Sequence, residues 1–310
     1  FMMEMAFLLF EQIAQLFLCI LLGWLLVRFQ LLKPEDSRVL SVVCLYLVVP
    51  CIIVPAFQIE HTPELIDGLL LALGAAVGIH VFLFAAVALI QRPLRLTPVE
   101  QASVIYSNSG NLIIPLVTSV LGQEWIIFGT MFQLVQLFPM WTHGRIILSE
   151  DRRLSWKAIF LNVNILSVFA GALLFLTNAS LPAVLTGTME SIGAMIGPMS
   201  MFVAGMLMGG QDLPAILRIR SIWKVVFLRL IAMPLVILCV LKYSGLADLA
   251  PNGDSILLVS LLCSCAPAAS TVTQMAQVYG HEGDYASAIN VASTLLCIVT
   301  MPLMVLLYQL

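Results

Sequence analysis

Tyr106-Ser107-Asn108-Ser109-Gly110-Asn111-Leu112-Ile113-Ile114-Pro115 lies within a block, residues 101–123, that contains no Asp, Glu, Lys or Arg. A second such block, 255–280, carries Ser264-Cys265-Ala266-Pro267-Ala268-Ala269-Ser270-Thr271 at its middle. Each block is long enough to cross a hydrocarbon core of about 30 Å as a helix of about 20 residues. Each also holds, at mid-depth, residues that a helix resists. Gly110 removes the steric bias toward helix, and Asn and Ser side chains compete for backbone hydrogen bonds. Pro115 and Pro267 lack an N–H, and their rings clash with the carbonyls of Asn111 and Cys263, four residues back. Both helices are expected to break near the bilayer midplane. Irregular backbone at that depth is tolerated only inside protein or along a water-filled cavity, so the two breaks are expected to cross and satisfy one another.

The rest of the chain has the same character. It is 61% hydrophobic and 10% charged, with a mean hydropathy of +1.05. A soluble domain carries roughly a quarter charged residues, so there is too little polar surface here for a water-facing globule. Residues 39–59, 68–91, 125–144, 158–189, 191–211 and 285–310 are also free of Asp, Glu, Lys and Arg. The alternation of a β-barrel is absent from these blocks. Arg28 follows the first apolar run instead of preceding it, so that run reads as a retained helix and not a leader. The expected spans are 5–27, 38–58, 67–90, 99–121, 124–148, 158–177, 185–209, 222–243, 254–278 and 285–308. The chain thus reads as an all-α polytopic membrane protein with ten transmembrane helices, and the lipid bilayer is its first partner.

Basic residues orient it. Of the 14 lysines and arginines, only Lys242 falls on the opposite side from the rest. The basic side is expected to be cytoplasmic, which places both termini outside the cytoplasm in a cell (inner or plasma) membrane. Five spans precede the 150–157 linker and five follow it. An odd number per half inverts the second half, so 1–149 and 158–310 read as two inverted five-helix repeats. Inverted repeats are a transporter signature, and the two interruptions then fall in the fourth span of each half.

Other chemistry is thin. The seven cysteines (Cys19, Cys44, Cys51, Cys239, Cys263, Cys265 and Cys297) lie in apolar blocks and read as packing groups. No ligand spacing for zinc is present. No HExxH motif, Ser/His dyad or nucleic-acid motif occurs, so neither an enzyme nor a nucleic-acid partner is expected. No resident cofactor is called for.

Ordered stretches carry a family resemblance. Residues 106–116 resemble the Asn-x-Gly-Asn-x-x-x-Pro-Leu stretch of bacterial auxin efflux carrier permeases. Leu22-Gly23-Trp24, Tyr46-Leu47-Val48-Val49-Pro50, Gly171 with Leu181-Pro182, Val203–Gly210, Pro267-Ala268-Ala269, Tyr279-Gly280 and Ala286–Thr294 resemble further family motifs in the same order. The resemblance implies a fold like that of plant PIN carriers and bile-acid-type symporters. Spans 1, 2, 6 and 7 would form a scaffold domain, and spans 3–5 and 8–10 a transport domain that moves as an elevator. Helices 4 and 9 would cross at the substrate site, and the scaffold would join a homodimer. It also implies small organic anions as substrates, either dicarboxylates or auxin-like monocarboxylates. Asn-Ser-Gly-Asn stands where the plant proteins have Asn-Pro-Asn-Thr-Tyr, which argues against auxin itself.

None of the basic residues reads as deep in a span, so an anion would be held by half-helix N-termini near Leu112 and Ser270. Such ends present free N–H groups and about half a positive charge. The expected substrate site comprises Asn108, Ser109, Gly110, Asn111 and Pro115 with Cys265, Ala266, Pro267, Ala268, Ser270 and Thr271. Gln133, Gln136 and Asn290 either join it or bond helix to helix. His80 is a candidate for proton coupling, although a lone histidine in a span is more often neutral and bonded to a neighbour. Half-helix carbonyls with Asn108, Asn111 or Gln274 could serve a coupled Na+. Two alternatives stay open: a carrier of neutral or lipid-like solutes, and a non-transporting receptor on the same fold.

Overall fold

The computed structural model describes residues 2–58, 63–113, 116–117, 121–149, 157, 161, 163–212, 214–215, 218–279 and 282–310. Side chains of 2–13, 16, 45, 111, 123, 200, 274, 277 and 278 are outside the description. The described residues are helical apart from turns and one isolated antiparallel bridge, Ser107 to Ala268.

Eleven helices matter here. They are α1 (Met2–Arg28), α2 (Pro34–Ala56), α3 (Pro63–Ile90), α4 (Pro98–Ile105), α5 (Ile126–Pro139) and α6 (Val163–Thr177). They continue as α7 (Ala183–Gly209), α8 (Arg220–Tyr243), α9 (Gly253–Cys265), α10 (Ser270–Tyr279) and α11 (Gly283–Gln309). Among the described residues, five helices, α2, α3, α7, α8 and α11, are long and apolar enough to cross a membrane. Shorter apolar helices occur at Phe17–Arg28, α6 and α9. The chain is therefore a polytopic helical membrane protein.

Proline reshapes several of these helices. In α2 and α8, π-turns at Cys44–Val48 and Leu228–Ala232 precede Pro50 and Pro234. A proline ring collides with the carbonyl four residues back, and widening the turn to i→i+5 relieves that collision while turning neighbouring side chains to a new direction. After Pro139, α5 continues through a π-turn, Met140–Gly144, into Arg145–Leu148.

Two sets of contacts place the site. α1 and α2 pack against α7, and α2 also packs against α6. α3 packs on α5 and α9, α10 on α11, and α8 on α9 and α11. α4 begins with a capping box: Glu100 N donates to Thr97 Oγ1 at 3.3 Å, and Thr97 N donates to Glu100 Oε2 at 3.0 Å. That buried carboxylate also pairs with Lys224 Nζ of α8 at 3.0 Å and accepts from the Tyr285 hydroxyl of α11 at 2.8 Å. One side chain thus ties the start of α4 to two other helices before α4 reaches the interruption.

Candidate functional site

α4 ends at Ile105 and α9 at Cys265, and both chains then run extended. They meet side by side. Asn108 N donates to Pro267 O at 2.8 Å, and Ala269 N donates to Tyr106 O at 3.0 Å. These two bonds flank Ser107 and Ala268, whose own N–H and C=O groups point away from each other, as at any non-hydrogen-bonded antiparallel pair. In water those groups would be solvated. Inside a membrane protein each must find a protein partner.

Ser107 finds both in one side chain. Gln136 Oε1 accepts from Ser107 N at 2.8 Å and from Ser107 Oγ at 2.9 Å, and Gln136 Nε2 donates to Ser107 O at 2.8 Å. A primary amide carries both a donor and an acceptor, so it can close on a peptide as a third strand would. Ala268 is held from the opposite side. Asn290 Nδ2 donates to Ala268 O at 2.6 Å, and Ala268 N donates to Ser293 Oγ at 3.1 Å.

Arg229 holds the helix ends. It is 1% exposed and sits in the π-turn of α8. Its Nε donates to Ala266 O, Nη1 to Val104 O and Nη2 to Ser264 O, each at 2.9 Å. These carbonyls close α4 and α9, where no further helical turn can bond them. Among the described residues, no carboxylate pairs with the guanidinium. The expectation that no basic residue lies deep in a span is corrected here. Nine residues into α8, Arg229 was read with the basic residues at the membrane surface. The π-turn ahead of Pro234 instead leaves it among carbonyls that could not have been placed without the fold.

Tyr106 anchors the first interruption. Its hydroxyl donates to Pro139 O at 2.8 Å and lies 3.0 Å from His143 Nδ1, which therefore supplies the proton of that contact. His143 thus braces Tyr106 and meets Phe84 edge-on at 4.9 Å.

Beside the crossing lies a cavity of about 370 Å³. Ser107, Asn108, Ser109, Gly110, Ala269 and Thr271 line it from the crossing, and Gln133 and Gln136 line it from α5. Tyr46 of α2 and Asn164 of α6 close the far wall. Ser109 Oγ, fully buried, and Gln133 Nε2 have no hydrogen-bond partner among the described residues. The sequence-expected residues thus divide. Asn108, Ser109, Gly110, Gln133, Gln136 and Thr271 line the cavity. Cys265, Ala266, Pro267, Ala268, Ser270 and Asn290 build the strand, helix ends and clasps behind it. Gln136 does both. Pro115 lies outside the described residues, as do the side chains of Asn111 and Gln274. His80 is absent from the cavity lining and sits behind Gln136. Its Nδ1 is 2.7 Å from Ala76 O, so it carries the proton there, and the ring packs on Phe132 with centroids 4.8 Å apart.

Sequence reasoning missed Ser293, Tyr106 and Arg229 as parts of this arrangement. For Arg229 a signal existed: a basic residue five positions before a proline within an apolar run.

Fold and site together define a multi-pass helical membrane protein with a polar crossing of two interrupted chains beside a cavity. The chain belongs to the family of membrane transport proteins of auxin efflux carrier type. The family's model, described as "Membrane transport protein", matches residues 8–158 and 150–305. That family is one of membrane transporters, not of enzymes. Among curated proteins, none matches the chain.

Proposed function

We propose that this transporter carries small organic anions, dicarboxylates or auxin-like monocarboxylates, bound in the cavity beside the crossing. The observation that carries the reading is the pair of polar groups, Ser109 Oγ and Gln133 Nε2, buried without a hydrogen-bond partner among the described residues at the wall of a 370 Å³ space. Buried polar groups in proteins are nearly always bonded, and a solute's oxygens supply what these lack. The N-terminus of α10 opens at Ser270, next to the cavity-lining Ala269 and Thr271, and helix N-termini favour negative charge.

The proposal extends to mechanism. The cavity lies between the crossing and the helices α2 and α6, where one group of helices would slide past the other. In the ten-span reading, Tyr46, Trp141, Asn164 and Tyr279 all lie on the basic, cytoplasmic side of the crossing. A second gap, apolar and only about 20 Å³, lies among Phe17, Ile20, Leu112, Leu116, Met201 and Met301, while the larger cavity faces the basic side in that reading. This is what an inward-open state of an elevator carrier would present, built from two inverted five-helix repeats. The clasps fit that symmetry, because Gln136 and Asn290 lie in the fifth span of each half.

The test is a thermal-shift screen of carboxylic acids and cations on purified protein, followed by uptake into liposomes. Bound ligands raise apparent stability by mass action. Asn108→Ala and Gln133→Ala are expected to leave the unliganded melting temperature nearly unchanged. Each should weaken binding of the best acid by about tenfold or more, the worth of one hydrogen bond to a charged group. Acid binding at full strength in both variants would remove the cavity from consideration.

A further inference from the structure

We infer that Arg229 is the residue that makes the crossing selective for anions, acting through the peptide groups it holds and without touching the solute; this deepens the carrier reading above and rests on it. The inference starts from charge accounting. α4 and α9 both end at the crossing, and a helix C-terminus carries about half a negative charge. Two such ends amount to about one negative charge beside the cavity. They would oppose the positive end of α10 and repel a carboxylate.

One guanidinium offsets them. Arg229 reaches the last carbonyls of both helices at once, Val104 on α4 and Ser264 and Ala266 at the end of α9, each at 2.9 Å. A guanidinium presents its donors in a rigid fork and keeps its charge when buried. Other charged groups nearby do not undo this. Glu100, one turn before Val104, is already paired with Lys224. His80, within electrostatic reach of Arg229, contributes no negative charge. A fixed positive charge therefore stands behind the crossing, and it is not consumed by a carboxylate of the described protein.

The device differs from a binding arginine. Arg229 is absent from the cavity lining, so it cannot recognise the shape of a solute. It sets the sign of the field, and the groups of the cavity wall set the fit. Arg229 is accordingly a positioning and selectivity residue, one that discriminates an acid from its neutral amide.

The experiment compares malonate, succinate and indole-3-acetate with their amides in thermal shift and in competition for uptake. Wild-type protein should prefer at least one acid over its amide. Arg229→Lys keeps the charge and should retain the preference despite lower stability. Arg229→Gln keeps donors but no charge, and its acid-over-amide ratio should fall by roughly tenfold, the order of effect expected from removing one unit charge at intermediate dielectric. Cys265→Asp offers an independent route. Cys265 lies between Ser264 and Ala266, both bonded to Arg229, so a carboxylate there pairs with the guanidinium and should lower the same ratio. If Arg229→Gln fails to fold, Cys265→Asp decides. A merely structural arginine would lose affinity for acid and amide alike, with the ratio unchanged; that result overturns the inference and leaves the carrier reading standing. Wild-type protein that binds none of the acids in preference to its amide would overturn both.

Discussion

Gly205→Leu is expected to abolish folded protein, and even Gly205→Ala should cost more than about 3 kcal/mol, beyond the usual range for overpacking. The reason is backbone against backbone. A Cβ on Gly205 of α7 would stand 2.0 Å from Ile20 O and 2.8 Å from Trp24 N, both on α1. Gly23 makes the reciprocal approach, its Cβ position being 2.5 Å from Phe202 O. Gly209 repeats the contact one turn on, against Val27. Small residues at such spacing let membrane helices approach closely, and neither backbone can yield as a flexible side chain would. Gly187 is the control. It lies on the same helix, and a Cβ there meets nothing within 4 Å. Gly187→Ala should therefore be neutral or stabilising by up to about 1 kcal/mol, through the lower entropic cost of alanine in a helix. Melting temperatures of the three variants in one detergent check the pattern. Equal behaviour of Gly205→Ala and Gly187→Ala would show that α1 and α7 are not in this contact.

The second large effect belongs to Gln136. Gln136→Leu removes the partners of Ser107 N, Ser107 O and Ser107 Oγ together. Two of these are backbone groups at the crossing, and each unsatisfied buried group costs about 1–3 kcal/mol. A loss of about 2–6 kcal/mol is expected, with transport lost as well, because Asn108 and Ser109 are placed by the same strand. Gln133→Leu makes the identical chemical change one helical turn away. The Gln133 Nε2 has no partner among the described residues, so there the expected loss is in ligand binding and not in stability. The two glutamines look equivalent in the sequence, and stability set against uptake separates them. A Gln136→Leu protein as stable as wild type would mean that the clasp on Ser107 is dispensable.

How much of this was legible beforehand differs by kind of information. Helical class and membrane residence follow from residue type along the chain, since uncharged blocks of about 20 residues have few alternatives. The interruptions were legible for the same reason: polar Asn108 and Ser109 and the ring of Pro267 disfavour an unbroken helix, although the chain resumes a π-helical turn at Ser109–Ile113. α4 ends at Ile105 and α9 at Cys265, just before them. What was not legible was how each side chain would be used. Gln133 and Gln136 differ only in which carbonyl and N–H the neighbouring strand brings to them. Asn290 reads equally as a binding group or a helix-to-helix bond until Ala268 O appears beside it. Arg229 was the largest misreading, because its value as an interfacial cation and its value as a buried clamp depend on carbonyls up to 125 residues away.

The sequence by itself determined that this chain lives in a bilayer, that its backbone must be helical there, and that two stretches would interrupt the helices. These are local consequences of transfer free energy and of proline, glycine and asparagine chemistry. Only the tertiary structure decided who satisfies the broken backbone: Gln136 on one strand, Asn290 and Ser293 on the other, Arg229 at both helix ends. The physical reason is that a hydrogen bond across the fold depends on distance and direction between groups far apart in the chain. Hydropathy and helix-breaking residues, by contrast, are properties of each position alone.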